Sequence, residues 1–130
     1  MSRRRWPAIR ILRRSVELSA DQLAVCARLG VTPDEPRGDS RLGIAPNARR
    51  SDLWPLNGLR HRPEHGTSGW YIWRGADLSQ ADDFFESLHT SHLRDWCPDA
   101  VRFLGLPPGW RFLIGPGQED VWYDATLLNV

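Results

Sequence analysis

The chain has 130 residues, which is enough for one domain and too few for two ordinary ones. No apolar run approaches the roughly 20 residues that a membrane-spanning helix requires, so a membrane protein of that kind is excluded. The net charge of +1 conceals a division, because residues 1–50 hold 11 arginines against 5 acidic residues whereas residues 75–130 hold 3 against 9.

The N-terminal residues 1–16 hold six arginines around Trp6, and Pro7 limits any helix there. No apolar h-region follows, so a secretory signal is not expected. A helix is predicted next, because Ser19 is a good N-cap and Gly30 suits the position just past the end. Its apolar stripe consists of Leu23, Val25, Cys26 and Leu29.

Residues 31–58 are rich in proline and glycine and have few large apolar side chains. These residues interrupt both helical and strand periodicity, which predicts a mobile linker. The sequence therefore divides into an arginine-rich leader, short helix and linker over residues 1–57, and an ordered domain over residues 58–130.

The predicted domain begins with a strand at Trp70–Trp73, where four β-forming residues follow a turn-rich segment. A helical region comes next, with Asp82 and Asp83 in its first turns, where the helix dipole favours negative charge. Its apolar face is formed by residues at helical spacing, namely Phe85, Leu88, His92 and Trp96. Pro98 is well placed to start a second helix, which would end near Leu104.

Two strands complete the pattern. Trp110, Phe112 and Ile114 alternate with Arg111 and Leu113, residues 116–119 resemble a hairpin loop, and residues 120–124 would return. The order β-α-α-β-β predicts an α+β fold, a small antiparallel sheet with two helices packed on one face, preceded by the partly ordered leader.

Signatures of catalysis are missing, since the chain has no P-loop, G-x-S-x-G elbow, C-x-x-C, H-E-x-x-H or dinucleotide fingerprint. This absence predicts a protein without enzymatic activity or cofactor. The best metal candidate is His89 and His92, with Cys97 nearby. Both histidines fall on or beside an apolar stripe, where hydrogen-bonded histidines are common, so no metal is predicted.

Three further polar groups have a simpler explanation than chemistry. His61, Glu64 and His65 could line a cleft, although a polar turn is the favoured interpretation. The carboxylate pairs Asp82–Asp83 and Asp120–Asp124 are accounted for by capping and solvation. The basic leader could bind nucleic acid through phosphates, but such leaders are often unstructured.

The distant cysteines, Cys26 and Cys97, indicate reduced thiols and a cytoplasmic protein.

Tryptophan is abundant, with seven residues in the chain and five between residues 70 and 122. Tryptophan dominates interface hot spots, but a small domain also needs large rings for its core. Strand alternation separates the two roles, because Val121 and Tyr123 share one face and Trp122 takes the other. We expect Trp73 and Trp122 to be exposed or to lie in a groove.

Together, several segments resemble the Imm33-like immunity-protein domains of bacterial polymorphic toxin systems. The most distinctive is LGLPPGWRFLI, residues 104–114, and the resemblance covers about residues 58–129. The other segments are Gly69–Trp73, Phe84-Phe85, Leu88-His89, His92-Leu93, Cys97-Pro98 and Asp120–Asp124 with Leu127.

The resemblance implies a non-enzymatic protein that binds and neutralises a cognate toxin in the cytoplasm of the producing cell. The toxin would then be covered by an acidic surface with exposed aromatic rings. This surface is formed by Trp73, Asp82, Asp83, Trp122 and Asp124. Two alternatives stay open: a metal-binding or hydrolytic protein that uses His89 and His92, and a nucleic-acid-associated protein that acts through its leader.

Overall fold

A capped helix begins the part of the chain that the computed structural model describes, which comprises residues 18–79, 81 and 83–129. Helix α1 spans Ala20–Leu29. The Ser19 hydroxyl accepts a hydrogen bond from the Gln22 N–H at 3.2 Å, and the Gln22 side chain accepts one from the Ser19 N–H at 2.9 Å. Gly30 ends the helix with a left-handed φ of 70°. The predicted helix and both of its ends are confirmed.

Six strands form one sheet in the order β4-β1-β3-β2-β5-β6. β1 runs parallel to β3, and the other neighbouring pairs are antiparallel. The α+β class is confirmed, but the prediction of a small antiparallel sheet is wrong, since the sheet is mixed and six-stranded. The strands are β1 (Arg41–Ile44), β2 (Leu56–Arg60), β3 (Thr67–Arg74), β4 (Glu86–His89), β5 (Trp110–Gly115) and β6 (Gln118–Tyr123).

Two strands lie wholly or partly in residues 31–58, the stretch predicted as a linker from its prolines and glycines. β1 lies within residues 31–58, and the predicted domain boundary at residue 58 falls inside β2. Two glycines in this stretch are positions where a ring lies against the backbone: a Cβ at Gly58 would overlap the Phe112 ring, and one at Gly43 would lie 2.5 Å from Tyr71 Cδ2. Glycine in a strand often marks such a close approach. The stretch is therefore part of the sheet.

The stretch from Phe85 to Trp96 differs most from its prediction. Its apolar residues have helical spacing, yet it begins as strand β4 and becomes α-helical only at α2, Leu93–Trp96. Pairing with β4 covers β1, which would otherwise be an open sheet edge, and this tertiary contact overrides the local pattern. Helix α3, Pro98–Val101, begins at the expected proline but ends before Leu104.

One face of the sheet, the core face, carries the side chains of Leu42, Ile44, Leu56, Trp70, Ile72, Phe112 and Ile114. They share one hydrophobic cluster with buried residues of the α-helices α1, α2 and α3, namely Val25, Cys26, Leu93 and Ala100. The Phe103 ring stacks on Phe112 with centroids 4.3 Å apart. The Trp70 indole N–H donates to the Leu104 carbonyl at 3.1 Å, so the polar edge of this buried ring is satisfied.

Two buried arginines border this core. The Arg60 side chain is 1% exposed and donates to the carbonyl oxygens of Ser68, Asp34 and Leu106 at 2.9, 2.6 and 2.8 Å. Burial lowers the pKa of Arg60, although the Asp34 charge opposes this. Arg74 likewise donates to the Ala48 carbonyl at 2.9 Å. Both guanidinium groups therefore tie backbone that flanks β1 to the centre of the sheet.

The opposite face, here called the second face, carries Leu59, Tyr71, Trp73, Arg111 and Leu113. A smaller cluster of Ala45, Leu59, Trp73 and Leu127 covers part of it. Leu127 belongs to a C-terminal 3-10 helix, Ala125–Asn129, which follows the β5–β6 hairpin. The predicted hairpin is confirmed. Among the described residues no helix has the length and apolar character needed to cross a bilayer.

Candidate functional site

A cleft of about 630 Å³ lies on the second face. Its floor is formed by Leu59, Tyr71 and Trp73 of β2 and β3, and its polar end by the loop that joins these strands. The lining residues are Leu59, His61, Arg62, Glu64, His65, Thr67, Gly69, Tyr71, Trp73, Leu78, Phe85 and Leu128. Concave sites of this size with an apolar floor and a few polar groups are where proteins commonly hold a ligand or a side chain.

Aromatic rings form part of the floor and one wall of the cleft, and they pack against one another. Phe85 meets Tyr71 edge to face with centroids 5.1 Å apart, and meets Trp73 in the same way at 6.1 Å. The Trp73 side chain is only 4% exposed, because Phe85 and Leu127 pack near it in the smaller cluster. Trp73 is therefore a buried part of the floor. The expectation of an exposed ring is wrong for Trp73, and only its place in the cleft lining agrees with the expected groove.

The loop between β2 and β3 brings the predicted polar residues to one end of the cleft. His61 Nδ1 lies 2.9 Å from the Leu127 carbonyl oxygen, and since a carbonyl only accepts, Nδ1 carries the proton. The Thr67 hydroxyl donates to the Glu64 carbonyl at 2.8 Å, and His65 has a left-handed φ of 51°. The alternative of a cleft lined by His61, Glu64 and His65 thus describes the structure correctly.

A second candidate surface lies at the sheet edge, and we call it the edge surface: Asp120, Trp122, Tyr123 and Asp124. The Trp122 side chain is 39% exposed and Tyr123 is 49% exposed. Their exposure follows from position, because β6 is the last strand of the sheet. The predicted exposure of Trp122 is confirmed.

Arg111 joins two members of the edge surface. Its guanidinium carbon lies 5.4 Å from the Trp122 ring centroid, and Nη1 lies 3.3 Å from Asp124 Oδ2. Hydrogen bonds from Thr126 lower the pKa of Asp124, and the contact with Arg111 lowers it further. Arg111 Nε is buried without a hydrogen-bond partner among the described residues, which leaves one donor of this group unsatisfied.

The five residues predicted to bind a partner do not form one patch of described contacts. Trp122 and Asp124 are joined through Arg111 at the edge surface. Trp73 lies in the cleft floor, and Asp83 is exposed in the loop that leads to the cleft residue Phe85. Asp82 lies outside the described residues.

Sequence reasoning missed several residues that form these surfaces. Phe85 was assigned to a helix stripe, and Leu128 follows the last predicted strand, so neither was placed beside Tyr71. Tyr123 was placed on the face opposite Trp122, which is correct, but its exposure requires knowing that β6 is an edge strand. Arg111 had a signal in its alternation with Trp110 and Phe112, and it was not assigned a role.

The candidate metal ligands His89 and His92 lie in different elements, but their rings are in edge-to-face contact. His89 ends β4 and His92 lies in the following 3-10 helix, with ring centroids 5.7 Å apart. Cys97 is fully buried, and burial raises the pKa of its thiol. The described part of the chain holds no group of three or more His, Cys, Asp or Glu residues arranged to bind a metal ion. The arginines of residues 1–16 lie outside the described residues.

Comparison with known proteins places the chain by its sequence. No curated protein and no solved structure matches it. A family model described as the Imm33-like domain matches residues 21–124, which extends from the first turn of α1 to the end of the β5–β6 hairpin. The match therefore includes α1, β1 and β2 as well as the segments that carry the resemblance. The chain belongs to the Imm33-like domain family.

Proposed function

We propose that the protein binds a toxin protein directly and neutralises it without catalysing a reaction. The observation that carries this proposal is the match of residues 21–124 to the Imm33-like domain, an immunity-type family. The proposed partner is the cognate toxin of the producing cell, and the proposed location is the cytoplasm, where a reduced state suits the two free, buried cysteines.

The edge surface supports binding of a protein. Trp122 and Tyr123 expose large rings on the two opposite faces of strand β6, and such residues carry much of the binding energy at interfaces. Residues 75–130 hold 9 acidic residues against 3 arginines. A negative domain attracts a basic partner during encounter and disfavours acidic ones. A basic toxin domain is therefore the best match in charge.

The cleft gives the proposed interface a second anchor point. The C-terminal 3-10 helix begins directly after Asp124, and its Leu128 lines the cleft. A partner that covers this helix would meet Trp122 and Asp124 at one end and the cleft above Trp73 at the other. Asp82 and Asp83 belong to the same proposal, because they precede the cleft residue Phe85 in the chain.

The test is to express the toxin domain encoded beside this gene, alone and together with the protein, and to follow growth of the host. Purified components are then mixed, and the complex is measured by size-exclusion chromatography with light scattering. We expect growth to be restored and a stoichiometric complex to form. Trp122→Ala should weaken the complex about tenfold or more, because it removes a central ring.

Leu23→Ala is the matched control, since Leu23 on α1 is also a large apolar residue and is 47% exposed. It should leave binding and protection unchanged. Failure of the wild-type protein to bind or to protect would overturn the proposal. Stoichiometric zinc in protein purified without added metal would instead favour the pair His89 and His92, and salt-sensitive nucleic-acid binding lost on deletion of residues 1–16 would favour the leader.

A further inference from the structure

The outer edge of β6 presents a set of backbone groups that no described strand pairs. Asp124 N–H donates to the Gly109 carbonyl at 2.7 Å, so this pair is hydrogen-bonded across the β5–β6 hairpin. Hydrogen-bonded and non-hydrogen-bonded pairs alternate in an antiparallel ladder. The backbone N–H and C=O groups of Asp120 and Trp122 therefore point towards β5. Those of the alternate residues of β6 point outwards, away from β5.

Three residues consequently face the open edge with their N–H and C=O groups, namely Glu119, Val121 and Tyr123. Within the described residues the sheet order ends at β6, and no hydrogen bond involves these backbone groups. β6 spans six residues, whereas β4 at the opposite edge spans four and leads directly into a 3-10 helix. β6 is thus the longer edge and the better template for another strand.

The side chains of β6 form two rows of different character. On the core face, Glu119 is neutralised by Arg28 and Arg102 at 2.7 and 3.0 Å, so the row presents chiefly Val121 and Tyr123. On the second face, Asp120 and Asp124 flank Trp122, with same-face residues about 6.8 Å apart. Asp124 already pairs with Arg111 at 3.3 Å, so among the described residues Asp120 is the carboxylate of this row that has no arginine contact. One row is therefore apolar and aromatic, and the other presents an indole beside the Asp120 carboxylate.

We propose that β6 is the docking strand, and that an extended segment of the toxin pairs with it as a seventh strand of the sheet. This inference rests on the proposed function. The incoming segment carries arginine or lysine opposite Asp120, and an apolar residue against Val121 and Tyr123. Main-chain hydrogen bonds provide the affinity in this recognition mode, and alternate side chains provide the specificity.

The acidic row also explains why the partner is a basic segment rather than a second copy of this chain. Charged residues on an exposed edge strand discourage pairing between identical copies. Pairing two β6 strands would bring the aspartates of both copies to the same face, with like charges near each other. A basic segment meets no such repulsion at Asp120 and gains from its carboxylate.

Val121→Pro tests the edge directly, with Val121→Ala as its matched control. Both variants lose the valine side chain, but only proline removes the outward N–H, and the β5–β6 ladder does not use that group. Each variant is titrated into the toxin domain, and its melting temperature and circular dichroism are recorded. We expect Val121→Pro to bind about tenfold or more weaker than Val121→Ala, with similar unfolding.

Amide hydrogen exchange of the wild-type complex provides a test that does not depend on how the proline variant folds. Exchange at Glu119, Val121 and Tyr123 should slow on binding, whereas Asp120 and Trp122, already bonded to β5, should change little. The same complex should weaken as salt is raised, because charges contribute to it.

The possible failures are distinguishable. If the wild-type protein binds the toxin but its outward amides stay unprotected, or a folded Val121→Pro binds as well as Val121→Ala, the edge inference is wrong and the proposed function stands. If the wild-type protein does not bind, the proposed function itself fails. If light scattering shows a wild-type dimer that Val121→Pro converts to a monomer, the edge holds a second copy and the inference is overturned.

Discussion

The two faces of the sheet differ in how much of the buried core they carry. Among the described residues, the hydrophobic cluster that includes the core face has sixteen buried members, and the cluster on the second face has four. The second face keeps a cleft of about 630 Å³ between its loops. A region with few buried contacts can be altered, or covered by a partner, without much effect on folding. The core face therefore supplies most of the stability, and the second face with the adjoining β6 edge is the proposed binding side.

Strand β5 contains this contrast within successive residues. Phe112 is 1% exposed and packs against Phe103 and Gly58 on the core face. Leu113, the next residue, is half-buried on the second face. Because side chains alternate along a strand, one segment can serve the core and the binding side at once.

The largest effect is expected for Phe112→Ala. Loss of this buried ring leaves a cavity beside Phe103, and it should lower the free energy of unfolding by about 3–5 kcal/mol. Urea denaturation followed by tryptophan fluorescence measures the change. Leu113→Ala, one residue away on the second face, is the control and should cost clearly less, because its side chain is only half-buried. Equal losses for the two variants would contradict the division of roles between the faces.

Arg60→Met should have an intermediate effect. The guanidinium satisfies the carbonyls of Ser68, Asp34 and Leu106, and methionine has a similar length but no donor. Leaving buried acceptors unpaired should cost roughly 1–3 kcal/mol. Amide exchange near Asp34 should also speed up, since that segment loses its attachment to the sheet.

Arg62→Met is the control for this prediction. Arg62 is exposed two residues further along the chain, so its replacement removes the same charge without removing buried hydrogen bonds. It should leave stability and exchange near Asp34 unchanged. If Arg60→Met also leaves them unchanged, residues around Asp34 are attached to the sheet by something other than this arginine.

The features that could be predicted from the sequence are those with local signals. α1 is defined by Ser19 and Gly30 at its ends, and the β5–β6 hairpin by strict alternation and a short turn. β1 and β2 were missed because Gly43 and Gly58 look like breaks until Tyr71 and Phe112 are known to lie on them. The meaning of a glycine in a strand depends on its spatial neighbours, which a local pattern does not contain.

The candidate site divides in the same way. Exposure of Trp122 is predicted from alternation and is confirmed, but its cause is the edge position of β6, since Tyr123 on the other face is exposed as well. The cleft requires Tyr71, Phe85 and Leu128 to meet from three different elements, and Phe85 has helical spacing although it leads into a strand. The apolar spacing from Phe85 to Trp96 favours a helix, but pairing of β4 with β1 overrides this local preference.

The smallest effect is expected for Glu119→Gln, which tests whether the core-face side of β6 is tied to the helices. Burial of Glu119 opposes its ionisation, but hydrogen bonds from Arg102 and Arg28 outweigh it and lower the pKa of this carboxyl below its ordinary 4.5. A lowered folded-state pKa gives stability that is present above the ordinary pKa and is lost as the pH falls. At pH 7 the variant should therefore be less stable, by no more than about 1 kcal/mol, because the partners are partly exposed.

The difference between wild type and Glu119→Gln should shrink as the pH falls from 7 to 3, as measured by urea denaturation at a series of pH values. Asp120→Asn is the control, since it removes the same charge from the adjacent residue. The Asp120 side chain faces the other way, and among the described residues it accepts a hydrogen bond only from Gln118. It should show a smaller difference at pH 7. A pH-independent difference for Glu119→Gln would mean that its two arginine contacts do not stabilise the fold, and that β6 is held by its pairing with β5 and by the packing of Val121 against the main cluster.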